Sequence, residues 1–397
     1  MSALPRFGRA WLREFPLDPD ATYLNHGTVG VTPRRILDVQ RRLMDEIERH
    51  PSRFLLRELT EITFGGAPSA VPRMRQAADE VARAVGARGD DLVFVDNATT
   101  GVNAVLQSWP FEPGDEILLS ELGYGGISHA AAFVARERGA AVRTLAMPDS
   151  LTADAIVQAW ADGVAASTRV AVVDHITADS ALVLPVAEIV EVLHARGVAV
   201  IVDGAHAPGA IPLDVAALGA DYYVANLHKW GWTPRSSGFL WAPFSRQRGL
   251  HPTVISWGLD QGFTAEFDML GTRDPSAHLS APAAIALFEE WGGAAAIQAY
   301  NHALAWNGAR HLAERWQTAF TTPESMIGVM ATVTLPERAG ADRDAANALR
   351  TQLLEADGIE AHVHAFRGRV RVRISAQIYN DMDDVERLAA AVLRHIG

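Results

Sequence analysis

Ile201-Val202-Asp203-Gly204-Ala205-His206-Ala207 and, further along, Tyr222-Tyr223-Val224-Ala225-Asn226-Leu227-His228-Lys229-Trp230 decide the fold of this chain of 397 residues. In each stretch a short apolar run passes directly into an acidic, imidazole or amine side chain. Apolar runs without polar alternation mark strands buried on both faces, as in a sheet covered by helices on each side. Open sheets of that kind take their ligands at the carboxyl ends of the strands, where Asp203 and the His228-Lys229 pair fall.

Working outward, similar runs occur at 91–95, 116–120, 141–145 and 169–174, in addition to 198–203 and 222–226. Amphipathic stretches separate them, among them 126–138 and 186–196, the second closed by Gly197 as a helix C-terminus often is. This alternation predicts an α/β domain with a doubly wound, mostly parallel sheet between about residues 74 and 240. After about residue 280 the texture changes to long Ala-, Glu- and Arg-rich helical patterns through 281–316, followed by β-like runs at 327–335 and 369–374. We therefore expect a large domain over 16–275 and a smaller C-terminal α+β domain over 276–397, joined by a long helix beginning near Ser276, with residues 1–15 packing on the smaller one. The Gly- and Phe-rich segment 243–272 is expected to be a long functional loop region.

Composition narrows the function. Hydrophobic residues make up 49% and charged residues 21%, which is globular rather than disordered. A formal charge of -12 surrounds the chain with a field that repels nucleic acid and anionic membranes, so neither is an expected partner. No signal-peptide core precedes Pro16 and no run approaches membrane-spanning length, so a cytoplasmic location is expected. The chain has no cysteine, which removes disulfides, thiolate metal sites and cysteine nucleophiles together. No metal site is expected from the sequence.

Three places carry chemistry. Of the 35 residues that are Lys or Arg, Lys229 is the single lysine. A chain that uses arginine everywhere else and keeps one lysine beside a strand end needs an amine that can lose its proton, which arginine cannot supply. An incidental surface lysine is the competing reading. Asp203 ends its strand as the carboxylate of a pyridoxal-phosphate (PLP) site does, placed to keep the pyridine nitrogen protonated; the same residue type also caps turns. At Val93-Phe94-Val95-Asp96-Asn97-Ala98-Thr99-Thr100-Gly101-Val102-Asn103 a strand opens through small and hydroxyl residues into a helix, whose free amides make a phosphate cradle, although any helix start uses such caps.

These residues resemble the aminotransferase class V family of fold-type I PLP-dependent enzymes, in its isopenicillin N epimerase-like branch. The resemblance runs from Tyr23-Leu24-Asn25-His26-Gly27-Thr28 to Arg373-Ile374-Ser375-Ala376-Gln377-Ile378-Tyr379-Asn380. It is most specific at Asp203-Gly204-Ala205-His206-Ala207-Pro208-Gly209, Asn226-Leu227-His228-Lys229-Trp230 and Gly271-Thr272-Arg273-Asp274-Pro275. It implies an aspartate aminotransferase-like large domain and pyridoxal 5'-phosphate as a Schiff base on Lys229, opposite Asp203. It further implies that Ala98, Thr99 and Thr100 form the phosphate turn, that Tyr124 stacks on the ring, and that His206 and His228 complete the pocket. Thr272 resembles a residue that reaches the phosphate from a neighbouring subunit, hence a homodimer. Arg373 matches the arginine that grips the substrate carboxylate, with Asn25 and His26 beside it. Arg369 and Arg371 share its strand face and compete for that role on periodicity alone. Where this branch usually has Ser-Pro-Thr, the chain has Ala178-Asp179-Ser180, an added carboxylate that leaves substrate identity open.

The resemblance points to proton removal at the α-carbon of an amino acid substrate, with Lys229 as base. Epimerisation is the first expectation, and carbon–sulfur lysis or transamination the alternatives. Epimerisation needs a second acid, for which His26 or Tyr124 stands nearest. Persulfide-type desulfuration is disfavoured because it uses a cysteine nucleophile. A PLP-binding module without turnover is the non-enzymatic alternative, and it fits poorly with a retained Lys229 and no basic recognition helix.

Overall fold

The computed structural model describes residues 7–64 and 71–397; residues 1–6 of the N-terminal segment lie outside the described residues. Twelve strands occur among the described residues: β1 (Thr22–Tyr23), β2 (Leu92–Val95), β3 (Glu116–Ser120), β4 (Ala141–Leu145), β5 (Thr168–Asp174), β6 (Ala199–Asp203), β7 (Tyr222–Asn226), β8 (Gly238–Trp241), β9 (Met330–Thr334), β10 (Ile359–Glu360), β11 (His362–Phe366) and β12 (Arg369–Ser375). Seven form one sheet in the order β2-β8-β7-β6-β5-β3-β4. Its neighbours are parallel except around β8, which runs antiparallel to both β2 and β7.

The sheet is apolar on both faces because it is covered on both. Along β2, Leu92 and Phe94 enter one core with Val81, Trp160 and Leu193, while Val93 and Val95 enter another with Val105, Ile127 and Val134. The same division repeats in β6 and β7. Strand alternation thus feeds two helical layers, and all six apolar runs read from the sequence lie in this sheet. β8 was not among them. Its four residues, Gly-Phe-Leu-Trp, follow a Ser-Ser-Gly stretch and are too short to stand out as a run.

A separate three-stranded antiparallel sheet, β11-β12-β9, lies toward the C-terminus. Val333, Val363, Val370 and Val372 pack on the helices Ala294–Trp316, Arg343–Asp357 and Met382–Ile396. The opposite face carries His362, His364, Arg371 and Arg373, cross-strand partners in the pairs His362–Arg373 and His364–Arg371. β11 escaped the sequence reading because its His-Val-His-Ala-Phe pattern has little apolar weight. Where one long helix was expected from Ser276, three occur, Ser276–Leu279, Ala281–Glu290 and Ala294–Trp316. The last break falls at Gly292 and Gly293, whose φ values of 113° and 90° no helix contains.

The N-terminal segment crosses to the C-terminal part of the chain. β1 pairs parallel with β10, and Asn25 bridges to Ser375. Residues 7–15 follow, with Phe7 against Tyr300 and Arg9 paired to Asp384 at 3.0 Å. No helix among the described residues is long and apolar enough to cross a membrane.

The segment 243–272 has more order than a loop. It contains the helices Phe244–Gln247 and Phe263–Asp268. Asp268 anchors the second by a bidentate ion pair to Arg75, both bonds 2.6 Å long and both side chains buried. Removing one partner strands a buried charge, which costs roughly 3–5 kcal/mol. Asp268→Ala is therefore expected to lower the unfolding free energy by about that amount in a denaturant titration; a loss under about 1 kcal/mol, the scale of an exposed pair, would show that the pair does not anchor this segment.

Candidate active site

Strand ends build the cavity. The chain moves outward from β3 to β4 in one direction and from β5 through β6, β7 and β8 in the other, so the connections reverse between β3 and β5. Crevices at such reversals receive ligands at the carboxyl ends of the strands. Here a cavity of about 670 Å³ is lined by Asp96 to Thr100 after β2, Tyr124 after β3, Asp174 at the end of β5, Asp203 at the end of β6, Asn226 at the end of β7, and His228 and Lys229 beyond it. Arg373 and His362 reach it from the polar face of the small sheet.

Lys229 is partly buried, and desolvation, with Arg373 facing it, lowers its pKa to about 7 against the opposing pull of Asp203. Its Nζ lies 3.0 Å from His206 Nε2. On the other side of that imidazole, Trp230 Nε1 lies 3.5 Å from His206 Nδ1. An indole N–H only donates, so Nδ1 accepts and the ring proton sits on Nε2. Nε2–H then donates to the lysine nitrogen, which accepts only as a neutral amine. Burial holds His206 well below the ordinary imidazole range, in keeping with that neutral ring.

Asp203 and Asp174 are adjacent register partners on β6 and β5, and both are buried. Burial raises both pKa values, and Asp203 raises Asp174 further. Two carboxyls this close share a deficit of positive charge, which a protonated heterocyclic nitrogen would meet. The turn after Asp203 needs glycine: a Cβ on Gly204 would lie 2.2 Å from the Tyr223 hydroxyl. That hydroxyl lies 2.8 Å from His175 Nδ1, and the His175 amide donates to the Asp203 carbonyl at 2.8 Å, so the strand end is fixed from behind.

The helix Ala98–Ser108 opens onto the same cavity. Asn97 Oδ1 caps it by accepting from the Thr100 amide at 2.9 Å, and Asn226 Oδ1 accepts from the Ala98 amide at 2.8 Å. The Thr99 amide is left directed at the helix mouth, with the positive end of the helix dipole behind it. His228 donates from Nδ1 to the Ser237 carbonyl at 2.9 Å, and burial lowers its pKa to about 4.

Arg373 is 2% exposed and has no carboxylate in hydrogen-bond contact among the described residues. It donates to the Ala178 carbonyl, to Thr28 Oγ1 at 2.8 Å and to Asn25 Oδ1 at 3.3 Å, while its Nε stays unpartnered. Burial lowers its pKa to about 10. A buried cation held only by neutral acceptors is poised for an anion. Arg369 instead donates to the Leu335 carbonyl, and Arg367 to Glu121 and Asp149.

Two residues named from sequence sit elsewhere. His26 is fully buried behind the lysine's own backbone, with Nε2 3.1 Å from the Lys229 carbonyl and Nδ1 2.9 Å from the Tyr379 hydroxyl; burial lowers its pKa to about 3, and it does not line the cavity. Thr272 lies with Leu55, Met74 and Asp268 in a different depression of this chain. Asn25 reaches the site only through Arg373. Asp174, Asn226 and Arg235 escaped the sequence reading as site residues. Asp174 carries the same signal as Asp203, an apolar run ending in a carboxylate.

The donor set fits pyridoxal phosphate on its own terms. It offers a partly buried amine of lowered pKa, a helix mouth with an open amide, a buried carboxyl pair and an arginine whose hydrogen bonds among the described residues go to neutral acceptors. The aminotransferase class-V family model matches residues 66–388. The chain is 32% identical to the "Probable L-cysteine desulfhydrase, chloroplastic" of Arabidopsis thaliana, over 94% of this chain and 83% of that one. It is also 32% identical to the isopenicillin N epimerase of Streptomyces clavuligerus, over 95% of each. Its fold matches a solved structure of the protein C-DES, with glycine covalently linked to the PLP cofactor, at a TM-score of 0.78 and 21% identity over 96% and 98% of the two chains. The extent of the family match and these two relatives together place this chain among the class V aminotransferases, a PLP-dependent enzyme family.

Proposed function

We propose that this enzyme is a carbon–sulfur lyase of the cysteine desulfhydrase kind, taking an amino acid with sulfur on its β-carbon and releasing that sulfur after loss of the α-proton. The observation that carries the reading is the position of His26, since the imidazoles that do line the cavity, His206, His228 and His362, are engaged with Lys229, the Ser237 carbonyl and Asp179. Lys229 is the one amine of the cavity, and His26, the imidazole that would serve as a second acid, is sealed behind the backbone. Elimination needs one base acting on one face, whereas epimerisation needs a proton donor on the other.

When bound, pyridoxal phosphate supplies an electron sink for the pair left by the α-proton. The residues suited to hold it are Lys229 at the aldehyde, Asp203 at the ring nitrogen, Tyr124 over the ring, and Ala98, Thr99, Thr100 and His228 at the phosphate. His228, whose Nδ1 is committed to the Ser237 carbonyl, would have Nε2 left to hold the phosphate. Thr272 of a neighbouring copy in a homodimer would complete the phosphate contacts. Arg373 binds the substrate carboxylate, and Asn25 and Thr28 orient its guanidinium. Lys229, released as a neutral amine with His206 hydrogen-bonded to it, removes the α-proton. The β-sulfur leaves and takes up a proton as a thiol or sulfide, and water hydrolyses the resulting 2-aminoacrylate to ammonia and a keto acid.

Tyr124 favours a second reading. It lines the cavity and is 50% exposed, so its hydroxyl remains a candidate second acid for an epimerase. The products decide between the two. In deuterated water the holoenzyme is expected to give sulfide and pyruvate in equal amounts from L-cysteine, cysteine persulfide and pyruvate in equal amounts from L-cystine, and no pyruvate from L- and D-amino acids that lack a leaving group on the β-carbon. Deuterium at the α-carbon with loss of chirality and no pyruvate would replace the lyase by the epimerase.

The Lys229 amine sets a pH dependence. Its pKa of about 7 lies below the ordinary lysine value, so the nucleophilic neutral form is lost as pH falls through 7. Capture of pyridoxal phosphate by the apoenzyme, followed by stopped-flow absorbance, is expected to slow about tenfold per pH unit below 7 and to level off above it. A break near the ordinary lysine value would contradict the environment described above, and Lys229→Ala should abolish the visible band.

Arg373→Ala is expected to lower kcat/KM by about 100-fold or more, chiefly through KM, as removal of a charge-assisted bidentate contact does. Unfolding stability is expected to change little, since burial disfavours the deleted charge while Asp179 favours it. An unchanged KM would remove Arg373 from substrate binding.

A further inference from the structure

We propose that Asp179, His362 and His364 form a binding site for a divalent transition metal, zinc or a metal of similar preference, at the mouth of the active-site cavity. The site is independent of which reaction the enzyme performs.

The three side chains converge from two parts of the fold. His362 and His364 alternate on β11 and therefore project from the same face, their rings stacked with centroids 5.1 Å apart. Asp179 comes from the loop after β5, with its carboxylate 2.9 Å from His362 Nε2. One ligand atom from each of the three lies within 4.8 Å of the other two. A tetrahedral ion with bonds of about 2.0 Å holds its ligands roughly 3.3 Å apart. The Asp179–His362 edge is already near that length, and a ring movement on the order of 1 Å brings His364 to it.

The chemistry of the donors selects the ion. Two imidazole nitrogens and one carboxylate suit zinc and its neighbours, and leave a coordination position for water or another ligand. Magnesium and calcium prefer an all-oxygen set. His364 Nδ1 is buried with no hydrogen-bond partner among the described residues, a vacancy that the Asp179–His362 ion pair does not fill. Asp179 is 62% exposed and His362 22% exposed at the side chain, so an ion can enter from solvent. Arg373 and Arg371 act against a cation here, and the Asp179 carboxylate offsets them.

The position gives the site consequence. Asp179 and His362 line the same cavity as Lys229. The Asp179 loop is already tied to the small sheet by Thr332 Oγ1, which donates to the Asp179 carbonyl at 2.6 Å. An ion would tighten that tie between the large sheet and β11 across the cavity mouth.

The test uses untagged holoenzyme without amino acids, titrated with Zn²⁺ by calorimetry and with Co²⁺ by visible absorption, beside Asp179→Asn and His364→Gln. The expected result is one ion per wild-type chain, an affinity weakened at least about tenfold in each variant, and no competition from Mg²⁺. Unchanged circular dichroism and cofactor absorbance separate loss of the site from loss of the fold. If either variant fails to fold, a zinc-soaked wild-type crystal replaces it, with an anomalous peak expected among the three side chains. Absence of stoichiometric binding, variants that bind as tightly as wild type, or a peak only elsewhere would overturn the proposal.

Discussion

The structure depends on keeping charges out of water where nothing in the protein neutralises them. Lys229 is partly buried and Arg373 buried, both line the same cavity, and Arg373 makes the lysine's charge costlier. Lysine escapes by giving up its proton, helped by an imidazole whose own proton is directed at it through the Trp230 contact. Arginine has no such escape and is held by neutral oxygens instead. The carboxyl pair on β5 and β6 is the opposite case, two potential anions with no cation in contact. A cofactor with a basic ring nitrogen, an aldehyde and a phosphate, and a substrate with a carboxylate, answer these imbalances in turn.

The scaffold explains why the imbalances persist. Stability comes from the apolar layers on both faces of the seven-stranded sheet, which do not extend to its carboxyl edge. At that edge the strands β5, β6 and β7 end in Asp174, Asp203 and Asn226, where backbone is still fixed by the ladder but side chains face the crevice. Rigid strands present polar groups without relying on loops to position them. The contact of the Tyr223 hydroxyl with His175 and the tight turn at Gly204 extend that fixation one residue past Asp203.

Much of this was legible in the residues. The six apolar runs stood out because burial on both faces removes polar alternation, and the single lysine stood out because every other basic position is arginine. Arg373 was not separable from Arg369 and Arg371 by periodicity, since all three share one face of β12. Only the pairing of β1 with β10 and the bridge from Asn25 to Ser375 bring Asn25 and Thr28 to it. His26 shows the converse limit. An imidazole close in sequence to site residues looked suited to chemistry, yet its hydrogen bonds to Tyr379 and the Lys229 carbonyl, both long-range in sequence, turn it into packing. Long-range contacts of this kind leave no local signature.

The division of the site between two sheets has a mechanical corollary. In the reaction proposed above, the amine that takes the proton hangs from the large sheet, while the arginine that would bind the carboxylate belongs to the small one, whose helices begin beyond the glycine break at 292–293. The relative placement of the two sheets would then set which bond of the α-carbon faces the amine. Residues that fix that placement would thus bear on the reaction without touching any reacting atom.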